Sequence, residues 1–179
     1  MNYFKVLCQN FIQMVFFSIC CLGVQNFPNS IGNLKRLSEI DLSGCNFNGS
    51  VPNSMANLTQ LIYLDMSSNY FTAPIPSFSM AKNLTMIYLS YNHLTGQITF
   101  SHWKELQSLV YLYLHDNSLE GSIPASLFSL PSLQTLYLGN NQFSGQLHEF
   151  SNVSSFLLEE LDLSRNSQLV GRANSLVYL

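Results

Sequence analysis

Residues 109–117 read "LVYLYLHDN". Leucine alternates with tyrosine, the pattern of a short strand with one apolar face. Leu109, Leu112 and Leu114 turn one way, and Tyr111 and Tyr113 turn the other. Such a strand cannot stand alone in water, so something else in the chain must cover its leucines. Aligning Asn117 with the rest of the sequence supplies the cover. "LSEIDLSGC" ends at Cys45, "LIYLDMSSN" at Asn69, "LTMIYLSYN" at Asn92, "LQTLYLGNN" at Asn141 and "LEELDLSRN" at Asn166. With Asn117 in its place, the successive spacings are 24, 23, 25, 24 and 25 residues.

This is the leucine-rich-repeat pattern LxxLxLxxN/C, recurring six times. Its physical consequence is a solenoid in which each strand's leucines are covered by the strands before and after, stacked in parallel at ~4.7–4.9 Å. The expected fold is an α/β repeat solenoid: a horseshoe arc of about six repeats, a parallel concave sheet, and short helical or 3₁₀ turns on the convex side. The Asn sits where the chain leaves the strand, and its amide can satisfy backbone groups that would otherwise be buried unpaired. Asn69, Asn92, Asn117, Asn141 and Asn166 thus form a structural ladder, with Cys45 as a small, weakly hydrogen-bonding stand-in rather than a reactive thiol. After each ladder residue come "FNGSVP", "FTAPIP", "LTGQIT", "LEGSIP" and "FSGQLH". Gly49, Gly96, Gly121 and Gly145 share one phase, as an open turn requires, and Ala73 replaces Gly once. The return "ASLFSLPSL" reads as a short outer helical turn.

These residues carry a family resemblance. "LxGxIP" following "LxLxxN" is similar to the plant-specific class of extracellular leucine-rich repeats. The stretch "SIGNLKRLSEIDLSGCNFNGSVPNSMANLTQLIYLDMSSNYF" resembles receptor-like proteins of the Verticillium-wilt-resistance type. The resemblance implies an ectodomain that binds a protein, peptide or glycan ligand at or outside the plasma membrane, in pathogen perception and with a co-receptor as a further partner. Against that family the cysteine-bearing cap and the membrane-spanning helix are missing. The first repeat, from Phe27, and the last, past Gly171, are partial. A truncated or fragmentary receptor copy is the expectation.

Composition narrows the classes. Of 179 residues, 47% are hydrophobic, ample for one core, while only 9% are charged against roughly 25% in an ordinary soluble domain. The surface must therefore be polar through Ser, Asn, Thr and Gln. Net charge is −3 and the seven Lys and Arg form no run, which excludes a basic stripe for nucleic acid or a polybasic membrane patch. Residues 1–24 are a different text, with one cation, Lys5, ahead of an apolar run from about Phe11 to Val24. The run is too short and interrupted to cross a bilayer and suits a secretory signal peptide, or else a divergent hydrophobic leader forming a buried strand or helix. Residues 25–179 are the array. Cys8, Cys20 and Cys21 all lie in the leader, so a chain cleaved after it keeps Cys45 alone and has no internal disulfide.

The positions between the leucines face the concave surface. One column reads Asp41, Asp65, Tyr88, Tyr113, Tyr137, Asp162, and the column two places earlier reads Glu39, Tyr63, Met86, Tyr111, Thr135, Glu160. Tyr63, Tyr88, Tyr111, Tyr113 and Tyr137 build a patch with Tyr91 at its edge, flanked by acids. Neighbouring aromatics stabilise a sheet by about 0.2–1 kcal/mol per pair with no ligand at all. Tyrosines gathered on an open face are also what recognition surfaces favour, each a rigid ring with a hydroxyl. Six of them make this patch the candidate ligand-binding site. Asn48, Asn57, Asn83 and Asn152 stand in Asn-x-Ser/Thr sequons and are glycosylation candidates in a secreted chain.

No catalytic constellation, cofactor motif or metal-ligand spacing is present. His93, His102, His115 and His148 are spread over different repeats, and adjacent His115 and Asp116 are expected to diverge. The sequence thus describes a non-enzymatic recognition module that needs no cofactor. Its rivals are a small secreted inhibitor of microbial wall-degrading enzymes and a non-functional truncated receptor copy.

Overall fold

The computed structural model describes residues 16–18, 25–146 and 157–170. Most of the leader, the sequon at Asn152, His148 and residues 171–179 lie outside them. The chain winds as a parallel β-solenoid. Strands β1 (Phe16–Ser18), β3 (Glu39–Asp41), β5 (Tyr63–Asp65), β7 (Met86–Tyr88), β9 (Tyr111–Tyr113), β11 (Thr135–Tyr137) and β13 (Glu160–Asp162) stack in sequence order into one concave sheet. Within the leader, β1 pairs with β3 in parallel, Phe16 opposite Glu39. After each concave strand the chain turns into a second layer. There β2 (Gln25–Asn26), β4 (Phe47–Ser50) and β6 (Tyr70–Thr72) form one sheet, and β8 (Thr95–Gln97), β10 (Ser118–Ser122), β12 (Gln142–Gln146) and β14 (Gln168–Val170) another. The layer breaks between β6 and β8 beside Pro74, which has no N–H to give a ladder. The returns are 3₁₀ helices at Asn29–Asn33, Asn53–Asn57 and Ala125–Ser129, and one turn of α-helix, α1 (Phe100–Trp103).

The core fills the space between the layers. Leu37, Ile40 and Leu42, and their counterparts Leu61, Leu64 and Met66, Leu84, Ile87 and Leu89, Leu109, Leu112 and Leu114, are fully buried. Each such side chain contributes about 1.5–3 kcal/mol by leaving water. The first residues of the outer layer complete the core. Phe47 stacks on Phe71 with centroids 6.1 Å apart, and Phe27 meets Phe47 edge-on at 5.4 Å.

Five asparagines hold the layers together by one recurring set of bonds. Asn69 Oδ1 accepts the Phe47 N–H at 2.9 Å, and its Nδ2 donates to the carbonyls of Leu42, Met66 and Ser67 at 2.8–3.0 Å. Asn92, Asn117, Asn141 and Asn166 repeat the arrangement, accepting from Phe71, Leu94, Leu119 and Phe143. Every ladder asparagine therefore ties its own strand end to the previous turn. Cys45 occupies the same step and is buried, but its sulfur is disulfide-bonded. The expectation of an unstapled array concerns a chain cleaved after the leader; in the intact chain Cys45 is bridged. Cys8, Cys20 and Cys21, the other cysteines in the sequence, lie outside the described residues.

Candidate ligand-binding surface

The concave strands are three residues long because the ladder turn ends each of them early. The residue before each ladder position has a positive φ: Gly44 at 64°, Ser68 at 55°, Tyr91 at 56°, Asp116 at 56°, Asn140 at 52° and Arg165 at 54°. Only one of the six is glycine. The asparagine's bonds to the neighbouring carbonyls hold the left-handed turn that the side chains at these positions disfavour. The turn swings Tyr91 to the rim, where its side chain is exposed.

Parallel register puts the two columns in line. Glu39, Tyr63, Met86, Tyr111, Thr135 and Glu160 are successive partners, as are Asp41, Asp65, Tyr88, Tyr113, Tyr137 and Asp162. Four phenol rings make a continuous ladder along the sheet. Tyr63 and Tyr88 lie 5.8 Å apart, Tyr88 and Tyr113 4.8 Å, and Tyr113 and Tyr137 4.7 Å between centroids. Tyr111 lies half-buried beside this ladder, close enough to Tyr88 and Tyr113 to act on their hydroxyls.

His115 belongs to the same surface; the expected divergence concerns only its separation from Asp116. Its ring stands 5.1 Å from Tyr91, 6.0 Å from Tyr113 and 5.8 Å from Tyr137, all edge-on, and so joins the rim tyrosine to the ladder. The signal was present in the sequence: Tyr111, Tyr113 and His115 alternate, so all three share one face. His93 is exposed beside Tyr70, and His102 accepts the Thr99 N–H at 3.2 Å next to Trp103. Neither is in ring contact with the ladder tyrosines.

The electrostatics follow from crowding and from acids. The Tyr63 hydroxyl is pushed up to about 12 by burial and by the Asp65 and Asp41 carboxylates, and it donates to Asp65 Oδ2 at 3.3 Å. Burial raises Tyr88 and Tyr113 too, helped by neighbouring phenols and by Asp65 and Glu160 respectively. Tyr137 donates to Glu160 at 2.6 Å. Tyr63, Tyr88 and Tyr113 are therefore neutral at any physiological pH. Burial lowers the His115 imidazole against an opposing pull from Asp116 and Asp162, so it too favours the neutral form.

Among the described residues no group of three or more His, Cys, Asp or Glu is arranged to hold a metal, and no helix is long and apolar enough to cross a membrane. Of the sequons, Asn57 and Asn83 are exposed on the return side. Asn48 lies half-buried on β4 with its amide oxygen buried and unpartnered.

Comparison with known proteins agrees with this geometry. Models described as leucine-rich repeat match residues 36–58, 60–80 and 82–143. Receptor-like protein 36 of Arabidopsis thaliana is 35% identical over 105 residues, 58% of this chain and 15% of the relative. The solved structure of PEPR1 with AtPEP1 superposes with a TM-score of 0.80 at 35% identity, covering 92% of this chain and 23% of that one. The Arabidopsis receptor kinase HAESA, solved with the peptide hormone IDA and the co-receptor SERK1, gives 0.76 at 31% identity, covering 85% and 26%. The chain spans between 5% and 25% of the length of the curated relatives it matches. It is a leucine-rich-repeat solenoid, similar to a segment of the ectodomains of plant receptor-like proteins and receptor kinases.

Proposed function

We propose that the chain is ligand-binding sequence of a plant cell-surface immune receptor-like protein of the Verticillium-wilt-resistance type, with Tyr63, Tyr88, Tyr91, Tyr111, Tyr113 and Tyr137 as its contact surface. The observation that carries this reading is the continuous ladder of phenol rings across successive concave strands, each ring half-exposed. Rigid aromatic rings with a hydroxyl at the tip give contact area at low entropic cost, as binding surfaces require. The HAESA structure above was solved with a peptide hormone, which favours a peptide among the ligand classes; the peptide here would be pathogen-derived or self-derived. A membrane-anchored remainder and a co-receptor complete the proposed assembly. Secretion behind residues 1–24 and glycosylation at Asn57 and Asn83, more readily than at half-buried Asn48, fit the same extracellular setting.

The test is selection from a displayed peptide library on the immobilised full chain, followed by affinity measurement of the selected peptides. The triple variant Tyr88→Ser, Tyr113→Ser and Tyr137→Ser leaves the leucine core and the asparagine ladder intact. It is expected to keep the wild-type circular dichroism and to lose binding at least about tenfold, the loss of one to two anchoring aromatics. Undiminished affinity in that variant would mean that the tyrosines serve only to pack against one another.

A further inference from the structure

The seven concave strands together contain five tyrosines, five carboxylates and no lysine or arginine. The carboxylates are not spread evenly. Glu39, Asp41 and Asp65 stand on β3 and β5, and Glu160 and Asp162 stand on β13. The intervening strands β7, β9 and β11 carry tyrosine, methionine and threonine at the outward positions. The cations are elsewhere: Lys35, Arg36, Lys82 and Lys104 lie on the return segments, and Arg165 lies in the turn beyond β13. The one ion pair among the described residues, Lys104 with Glu105 at 3.7 Å, is also off this face. No concave carboxylate is matched by a cation of the described chain.

Part of this acidity has a structural use. Asp41, Asp65 and Asp162 each place Oδ1 on the backbone N–H of Ser43, Ser67 and Ser164, at 2.8–3.1 Å, which steadies the strand end. Glu39 makes no such bond and is exposed, and Glu160 spends one oxygen on Tyr137. A surplus of negative charge at both ends of an aromatic floor therefore remains.

We infer that the ligand is an extended peptide lying across the strands with a basic residue at each end and an uncharged middle over the tyrosines. This deepens the proposed function and rests on it. Lysine or arginine suits both parts of the surface, since a carboxylate pairs with it and a phenol ring attracts it through its face. The spacing is set by the fold. Five strand-to-strand steps separate β3 from β13, and at ~4.8 Å each they span about 24 Å, the length of about seven extended residues at ~3.3 Å. The two basic residues should stand that far apart.

The test uses three acetylated, amidated synthetic peptides with one shared uncharged core of that length. One has arginine at both ends, one arginine at a single end, and one glutamate at both ends. Affinity for the full chain is read by fluorescence anisotropy at low and at high salt. The doubly basic peptide should bind about tenfold or more tightly than its acidic twin, with the singly basic one between them, and the preference should shrink as salt screens the charges. The double variant Glu39→Gln and Glu160→Gln keeps both side chains polar and the Tyr137 acceptor in place, and should remove most of the preference. An acidic twin that binds as well, or a preference unchanged in that double variant, overturns the inference. If charge makes no difference yet the serine triple variant loses all three peptides, the tyrosine surface stands and only its cation selectivity falls. Failure of all three peptides to bind overturns both.

Discussion

Protonating His115 would add an N–H where the imidazole Nδ1 is buried and has no hydrogen-bond partner. The ring is packed against Tyr91, Tyr113 and Tyr137, and the charges that face it are Asp116 and Asp162. Burial outweighs those two carboxylates and leaves the folded-state pKa below the ordinary imidazole value of 6.5. His102 is lowered by burial as well. A depressed pKa means that the unfolded chain binds the proton more readily. The stability tied to a neutral imidazole is thus fully present above pH 6.5 and is lost as pH falls through the folded-state value. Denaturant midpoints should therefore decline between pH 7 and pH 5, and His115→Gln should reduce that decline while His102 keeps the remainder. An unaltered pH slope in His115→Gln would show that the imidazole is as free in the fold as out of it. If this surface takes the peptide inferred above, acid should weaken that binding, because a charged His115 adds positive charge to the face.

At the level of the element, the turn into the outer layer is where sequence and backbone part company. Gly49, Gly96, Gly121 and Gly145 have φ between 73° and 89°, the region glycine enters at no cost. Ala73 stands at the same phase with φ at 65°. Its Cβ is unfavourable there by about 1 kcal/mol. Ala73→Gly should accordingly stabilise the chain by about 1 kcal/mol less the entropy that glycine adds to the unfolded state. That is a rise of at most roughly 2 °C in Tm at ~2–4 °C per kcal/mol for a chain of this size, measured by thermal circular dichroism. The glycine phase made this turn legible in the sequence, and the leucine period made the strands and core legible, because both are one-residue chemistry repeated at a fixed interval. The left-handed residues before each ladder position were not legible. Serine, tyrosine, aspartate, asparagine and arginine fill five of those six places, and what holds them is an asparagine amide bonding across two turns. A conformation imposed by tertiary hydrogen bonds leaves no mark on the residue that adopts it. The tyrosine columns and the face of His115 could be read from alternation alone, whereas its ring contacts with Tyr91, Tyr113 and Tyr137 needed the side-chain geometry.

For the whole molecule the open question of physics is how the first turn of the array is covered. A solenoid hides its leucines between neighbours, and its first turn has a neighbour on one side only. Here β1, from the leader, extends the concave sheet past β3, Phe27 packs edge-on against Phe47 and Phe71, and Cys45 is disulfide-bonded. Every other cysteine of the sequence precedes residue 25. A chain beginning after residue 24 would therefore hold Cys45 as its sole thiol and would lack β1 as well. The intact chain, unfolded in denaturant without reductant and alkylated, should leave Cys45 unmodified, and the same treatment after reduction should modify it. Reduction should lower stability by about 2–4 kcal/mol, or roughly 4–16 °C in Tm at ~2–4 °C per kcal/mol. Peptide mapping by mass spectrometry reads both states at one residue. Alkylation of Cys45 without reductant, in a chain that still carries residues 1–24, would remove the disulfide from this account and leave β1 and Phe27 as the described cover for that end. In material recovered from secreting plant cells the same modification, with the leader peptides absent from the map, would instead identify residues 1–24 as a cleaved signal, and the first repeat would then have to be covered by another surface.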